Sequence, residues 1–426
     1  PPGTFVEDPG FGNPFWSARF NQNTVNTNRA YGSTDLSFEI LPELSIVHRL
    51  GFDFFEDETY QLRKMGNATA PTGTLFEEVS NRLEINSDLI LRGNYAFSQN
   101  LTFSGLLGWN LNHRDGHVQS VSADGMVFRG VPRDIANFQQ TISNQNDFTQ
   151  RTGAFYSELQ WSFFQQLYLD VTGRLESAST FGPEAKSTFF YPSASLAWQF
   201  TKLDALPELG PLNFGKLRAS YGEAGVQPPP YVTNTSFFNL GGDDSGFGPN
   251  VESRQYGTGF GRSQEFGNPS LVPERTQEFE FGTDLRFFND RLSVSATRYV
   301  ANSSNVILDV DIAPSSGFGE KVVNRVELES SGIELEADAT WLQGENFSWS
   351  TSAGWSRNRT DVTDLAGIES IELSGLSVDS RAAEGEPFGV LWGGRWLRGD
   401  NGEQLLDGFG TDESAQSGDA GWAFPN

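Results

Sequence analysis

Carboxylates recur along this chain at spacings that invite a chemical reading. Glu334, Glu336 and Asp338 alternate along one stretch, and Glu278, Glu280 and Asp284 along another. Two facing carboxyl groups can act as general acid and base when burial raises the pKa of one of them. Nothing in the flanking sequence supplies that desolvation, so the rows read as solvated charges and no general acid is assigned. His113 and His117 share one face of an extended strand, and with His48 they complete the histidines, but a metal needs further ligands that no spacing supplies. The stretch 398–413, RGDNGEQLLDGFGTDE, sets oxygen ligands in a glycine-rich turn. It lacks the regular Asp spacing and the closing bidentate Glu of a calcium loop, and reads as a turn.

The remaining signals are weaker still. YGTGFG at 256–261 precedes no helical pattern, so a phosphate-cradling loop lacks its context. No Gly-x-Ser-x-Gly elbow appears, and with no cysteine there is no thiolate ligand or nucleophile. No enzyme, metal or cofactor is expected. Recognition is the better-supported chemistry. The link 226–274 carries Tyr231, Phe237, Phe238, Tyr256 and Phe260 beside Asp243 and Asp244. Aromatic faces stack on sugars, and carboxylates accept their hydroxyl hydrogen bonds. Tyr231, Phe237, Phe238, Asp243 and Asp244 are therefore the candidate ligand contacts. The competing reading is that these aromatics pack the loop on itself or on a partner lid.

The elements that must carry such a loop are strands. Phe279, Phe281, Thr283, Leu285 and Phe287 oppose Glu278, Glu280, Gly282, Asp284 and Arg286 at a period of two. The same rhythm sets Ile333, Leu335, Ala337, Ala339 and Trp341 against Glu334, Glu336, Asp338 and Thr340. It also sets Phe347, Trp349, Thr351, Ala353 and Trp355 against serines and a glycine. Hairpins are expected at 28–40 with 44–56, 82–97 with 101–115, 149–162 with 167–179, 188–200 with 214–225, 275–287 with 291–308, and 329–341 with 347–360. A further strand near 388–398 makes about thirteen. Runs such as 82–97 and 101–115 exceed the ~5–6 residues of a soluble strand and suit membrane-spanning strands of ~9–11 residues.

The connections alternate in length. Short links fall at 41–44, 98–100, 163–166, 287–290 and 342–346, and long ones at about 57–81, 116–148, 226–274, 309–328 and 361–387. Short periplasmic turns and long extracellular loops are the layout of outer-membrane barrels. The link 180–187 is short where an outer loop is expected. Composition agrees, since 46 glycines and 36 phenylalanines are what strands and tight turns consume. The formal charge of −26 disfavours nucleic acid, which needs clustered cations. No apolar run approaches the ~18 residues of a membrane helix, and the first residues carry no signal-peptide pattern.

The segment 268–308, NPSLVPERTQEFEFGTDLRFFNDRLSVSATRYVANSSNVIL, resembles the signature region of SusC/RagA-type TonB-linked outer-membrane receptors. The likeness continues through GFGEKVVNRVELESSGIELEADATW at 317–341, FSWSTSAGWSRNRTDVTDL at 347–365 and EGEPFGVLWGGRW at 384–396. LYLDVTGRLESASTF at 167–181 and FFYPSASLAWQF at 189–200 also resemble barrel strands of that family. Asn324, Arg325 and Val326 depart from its usual Asn-Ala-Gly step, and Ser330 stands where Asn is frequent.

The resemblance implies an all-β fold, an antiparallel transmembrane β-barrel. It covers 1–426 as part of the barrel domain, without the plug, the TonB-contacting segment or the terminal strands, so an incomplete barrel is expected. It further implies import of an oligosaccharide or peptide, a SusD-like surface lipoprotein as lid, energy from the TonB complex, and contact with outer-membrane lipid. A passive porin and a soluble extracellular glycan-binding β-protein are the alternatives.

Overall fold

The computed structural model describes residues 14–67, 70–129, 134–203, 210–240, 259–365, 367–375, 378–393 and 422–424, with the backbone alone at 238–240, 259–260, 375 and 422–424. A short helix, α1 (Pro14–Phe20), precedes β1 (Gln22–Leu41), β2 (Leu44–Arg63), β3 (Thr74–Ser98), β4 (Leu101–Met126), β5 (Phe138–Phe163), β6 (Leu167–Ala178), β7 (Thr188–Trp198) and β8 (Leu212–Val226). Then come the short β9 (Phe237–Leu240), β10 (Gly259–Arg262) and β11 (Glu265–Phe266), followed by β12 (Glu274–Phe287), β13 (Leu292–Asp311), β14 (Glu320–Gln343) and β15 (Ser348–Asp364). The chain continues through β16 (Ser370–Gly375), β17 (Val378–Ala383), β18 (Val390–Gly393) and β19 (Trp422–Phe424).

One 13-stranded sheet takes the order β1 to β8, then β12, β13 and β14, with β11 and β15 both pairing β14. Consecutive strands joined by tight links pair antiparallel with unbroken register over most of their length, as in β1–β2, β12–β13 and β14–β15. At two of the short links, 163–166 and 287–290, the backbone turns sharply through the left-handed region. Phe288, Asn289 and Asp290 follow one another at φ 55, 57 and 62, and Asn213 caps the turn by accepting from the Asn289 N–H at 2.6 Å.

Two expectations are corrected. The links 57–81, 116–148 and 309–328 are largely strand, because β2 runs to Arg63, β3 starts at Thr74, β4 reaches Met126, β5 starts at Phe138 and β14 starts at Glu320. Apolar alternation fades there, but the ladder does not need it. Backbone N–H and C=O groups still find partners, alternately on the strands to either side, as where Glu56, Asp57 and Glu58 lie between Asn28, Thr27 and Asn26 on β1 and Asn81, Ser80 and Val79 on β3. The strand expected near 388–398 is the short β18, and it joins a separate four-stranded sheet with β16, β17 and β19. The thirteenth member of the main sheet is instead β11, which lies parallel to β14.

The chain divides into two compact units, Pro1–Gly93 with Leu106–Tyr156 and Glu176–Ser179, and Asn94–Gly105 with Ser157–Leu175 and Thr180–Asn426. In each, the compact apolar cluster sits at the strand ends remote from the tight turns. The first unit closes on Leu62, Leu75, Ala123, Met126 and Phe138. The second closes on Val326, Val362, Leu365 and Ala382, where the β16–β17 hairpin folds back. Between these clusters and the turns the sheet has no conventional core. Phe52, Leu89, Trp109, Phe155, Phe281, Leu335 and Trp355 are all exposed, which water does not favour over so large a face. Among the described residues no helix is long and apolar enough to cross a membrane, which says nothing about strands.

Candidate functional site

The face opposite those apolar side chains is polar and cross-linked. In the first unit, Arg29 reaches Asp53 with Nε at 2.9 Å, and Arg49 Nε lies 2.7 Å from Asp35. Glu84 accepts from Asn112 Nδ2 at 2.7 Å and pairs with Arg114 at 3.0 Å. Asp88 gathers Asn110 Nδ2 at 3.0 Å and the Tyr156 hydroxyl at 3.1 Å. Period-two alternation dictates this division, because a strand places every second residue on the same face.

In the second unit the acidic rows meet cations. Lys216 Nζ stands 2.6 Å from Asp284, and Arg218 pairs with Glu280. The Arg218 guanidinium also crosses the bare backbone of Gly282, where a Cβ would come 2.6 Å from its Nε. Glu278, Glu334, Glu336 and Asp338 form no ion pair among the described residues and remain open to solvent. Two of the six carboxylates are thus matched rather than merely solvated. Lys216 and Arg218 were legible as alternate residues of one strand, but their partners are more than sixty residues away, and only register shows the match.

The link between β8 and β12 is pinned to the strand ends. Asn324 Nδ2 donates to the carbonyls of Val272 and Asn305, each at 2.8 Å, while its Oδ1 accepts from the Val272 N–H at 2.9 Å. Asn268 Nδ2 donates to Val322 O at 3.0 Å, and Leu271 is 0 % exposed. Arg262 lies 3.7 Å above the Phe318 ring and donates to Gly317 O at 2.5 Å. On this framework Tyr231 is 56 % exposed at φ 70, and Phe237, opposite Arg262, is 68 % exposed. Phe238 is placed by its backbone only, and Asp243, Asp244 and Tyr256 lie outside the described residues. The structure therefore brings two of the five candidate contacts to one exposed segment. Asn268, Asn324 and Arg262, whose side chains tie the later part of this link to β13, β14 and the turn between them, escaped the sequence reading because their partners are backbone groups and a ring remote in sequence.

The histidines sit beside acceptors. His48 contacts Ser87 Oγ at 3.1 Å, and His113 contacts Asp115 at 2.5 Å on the face it shares with His117, whose partner is Asp147. Asp115 and Asp147 lie far up their strands from the tight turns. The Thr149 hydroxyl, and then His113, hold the Asp115 carboxyl below its usual range. The His117 contact and the Gln145 amide do the same for Asp147. Among the described residues no group of three or more acidic or histidine side chains could hold a metal ion. The glycine run enters β10 rather than a helix, and the stretch 398–413 lies outside the described residues.

A two-faced sheet of long strands, joined by tight turns, agrees with one family model. The model described as "TonB dependent receptor-like, beta-barrel" matches residues 2–418. The chain belongs to the TonB-dependent receptor β-barrel family. It is 24 % identical over 380 residues to TonB-dependent receptor P39 of Formosa agariphila, covering 87 % of this chain and 35 % of that protein. It is 23 % identical over 397 residues to TonB-dependent receptor SusC of Bacteroides thetaiotaomicron, covering 84 % and 37 %. The structure described as the RagAB peptide transporter superposes with a TM-score of 0.77 at 18 % identity, over 96 % of this chain and 45 % of that one, and so shares the fold. The chain spans about a third of the length of the curated relatives it matches.

As a TonB-dependent receptor barrel, the sheet is an outer-membrane wall, and its apolar face is the lipid face. Two aromatic levels bound that face in the second unit. Phe103 with Trp161, and Trp341 with Trp349, lie near the tight turns at ring separations of 5.5 and 6.3 Å. Tyr221, Phe279 and Trp355 form the far level. Six residues separate Trp349 from Trp355 along β15, or roughly 20 Å, which a tilt of ~40° reduces to roughly 15 Å along the membrane normal, inside the ~25 Å apolar band of such barrels. The polar, ion-paired face is the lumen face.

Proposed function

We propose that the receptor containing this chain imports a nutrient of the oligosaccharide or peptide class, with TonB supplying the energy. This chain forms wall and outer loops, and a SusD-like surface lipoprotein closes over those loops. The reading is carried by the segment Tyr231–Phe237, held by the Asn268 N–H on Val232 O and the Gly267 N–H on Thr235 Oγ1, and presenting two exposed rings from the same unit as the Lys216–Asp284 wall. Rigid aromatics over a hydrated polar face suit a ligand that stacks and hydrogen-bonds. A relative named SusC and a fold-mate described as a peptide transporter support import. A plug and its displacement by TonB belong to the remainder of the receptor.

Uptake of fluorescent oligosaccharides and of fluorescent oligopeptides by cells bearing the full receptor tests this directly. Replacing both Tyr231 and Phe237 by Ala is expected to weaken binding of the imported class about tenfold or more while leaving the amount of folded receptor unchanged. Uptake should stop when TonB is deleted. Uptake that persists without TonB would instead describe a passive pore, and import of neither class would overturn the reading.

A further inference from the structure

We propose that Arg298 and Arg357 form a clamp on the lipid face for a phosphate group carried by an outer-leaflet lipid. The two arginines are linked through one residue of the intervening strand, since Arg298 on β13 faces Ile333 on β14, and Ile333 faces Arg357 on β15. Register places all three on one face together with Phe281, the β12 partner of Arg298, and with Trp355 two residues along β15. That is the apolar face, because Phe281, Ile333, Leu335 and Trp355 are its exposed members. Both arginines are themselves exposed, and they stand at the far aromatic level, where hydrocarbon gives way to headgroups.

Neither guanidinium has an ion pair or hydrogen-bonded side-chain partner among the described residues. The carboxylates that share their face lie further from the tight turns. Asp361 is held by Arg359 at 2.8 and 2.9 Å, and Glu329 sits opposite Asp361 in the register, beyond Ser331. A cation at this depth with no protein anion is costly unless the membrane supplies one. Backbones two strands apart are separated by roughly 10 Å, so two arginine side chains can converge over Ile333 on a single tetrahedral anion. Guanidinium forks match phosphate oxygens in pairs. Lipid acyl chains would then lie along Phe281, Ile333 and Leu335.

The full-length receptor is purified in a neutral detergent, and bound lipid is counted by native mass spectrometry after exposure to mixed micelles. One set of micelles contains a phosphomonoester lipid, another its dephosphorylated counterpart, and a third phosphatidylcholine. Wild-type receptor should retain the phosphomonoester lipid, and R298Q with R357Q should retain it about tenfold less. R359Q, whose partner is Asp361, should behave as wild type. Folding of each variant is read from its heat-dependent gel shift. Where the double Gln variant does not fold, R298K with R357K replaces it and should show an intermediate loss, because the charge survives without the fork. Equal retention by folded wild type and double variant, or equal retention of the dephosphorylated lipid, overturns the proposal. Displacement by millimolar inorganic phosphate at unchanged detergent would identify a free-anion site and overturn it as well.

Discussion

Lys216 Nζ lies 2.6 Å from Asp284 Oδ2 directly across the register that joins β8 to β12, and Ser295 Oγ donates to the other oxygen of the same carboxylate at 2.9 Å. Three strands meet at that carboxylate. Removing the cation leaves only the serine and Arg218 Nε, 3.9 Å away. Lys216→Met is expected to destabilise the folded receptor by about 1 kcal/mol, the pair being partly open to solvent. The urea midpoint of the folded band on unheated gels measures this. Adding Asp284→Asn to that variant should recover part of the loss, since no unpaired charge remains.

Asn324 makes three hydrogen bonds to backbone around Val272 and Asn305. Truncation to Ala leaves the part-buried N–H and C=O of Val272 without this partner, a local cost of about 1 kcal/mol. Because two of these bonds tie the link at Val272 and only one joins β14 to β13, Asn324→Ala should change the barrel's melting little and open residues 263–274 to protease on intact cells. Equal cleavage of wild type and variant would show that the link is held elsewhere.

Burial, reinforced by the carboxylates of Asp309 and Glu320, pushes the Glu265 carboxyl above its usual range. A raised folded-state pKa means that the folded link favours the protonated form. The stabilisation from this group is complete below the ordinary value of about 4.3 and is lost as pH rises through the raised one. Amide hydrogen exchange around β11 should therefore slow on acidification relative to intrinsic rates. Glu265→Gln should protect these amides at pH 7 and leave little difference between variant and wild type at pH 4.

Gly332 faces Tyr299 across β13 and β14, and a Cβ there would come 2.3 Å from the ring. The tyrosine covers the glycine backbone, so Gly332→Val must drive the ring off its neighbour at a cost of about 1–3 kcal/mol. Tyr299→Ala in the same chain should remove most of that penalty, which the yield of folded receptor after refolding into detergent micelles will show. A penalty unchanged by Tyr299→Ala would place the clash elsewhere.

Much of this architecture was legible in the residues. Alternation along 276–287 and 332–341 assigned two opposite faces, and those faces are the ones that Phe281 and Glu280, or Leu335 and Glu334, occupy. Tight links at 98–100, 163–166 and 287–290 were legible because short turns leave few conformations open. Strand ends were not legible, since polar stretches such as 56–58 pair through backbone that carries no side-chain signature. The seven residues from Lys321 to Glu327 in β14, expected as part of a loop, show the same effect.

The sequence by itself determined what each strand wants on its two sides, because a period of two is local and needs no partner. Which strands meet was decided only by the tertiary structure. Register matched Lys216 with Asp284, aligned Arg298 with Arg357 across Ile333, placed β11 rather than the stretch 388–398 in the main sheet, and bound Asn324 to Val272. Each of these joins residues distant in the chain, and the free energy that selects among such pairings is shared over whole hairpins rather than written in any single segment.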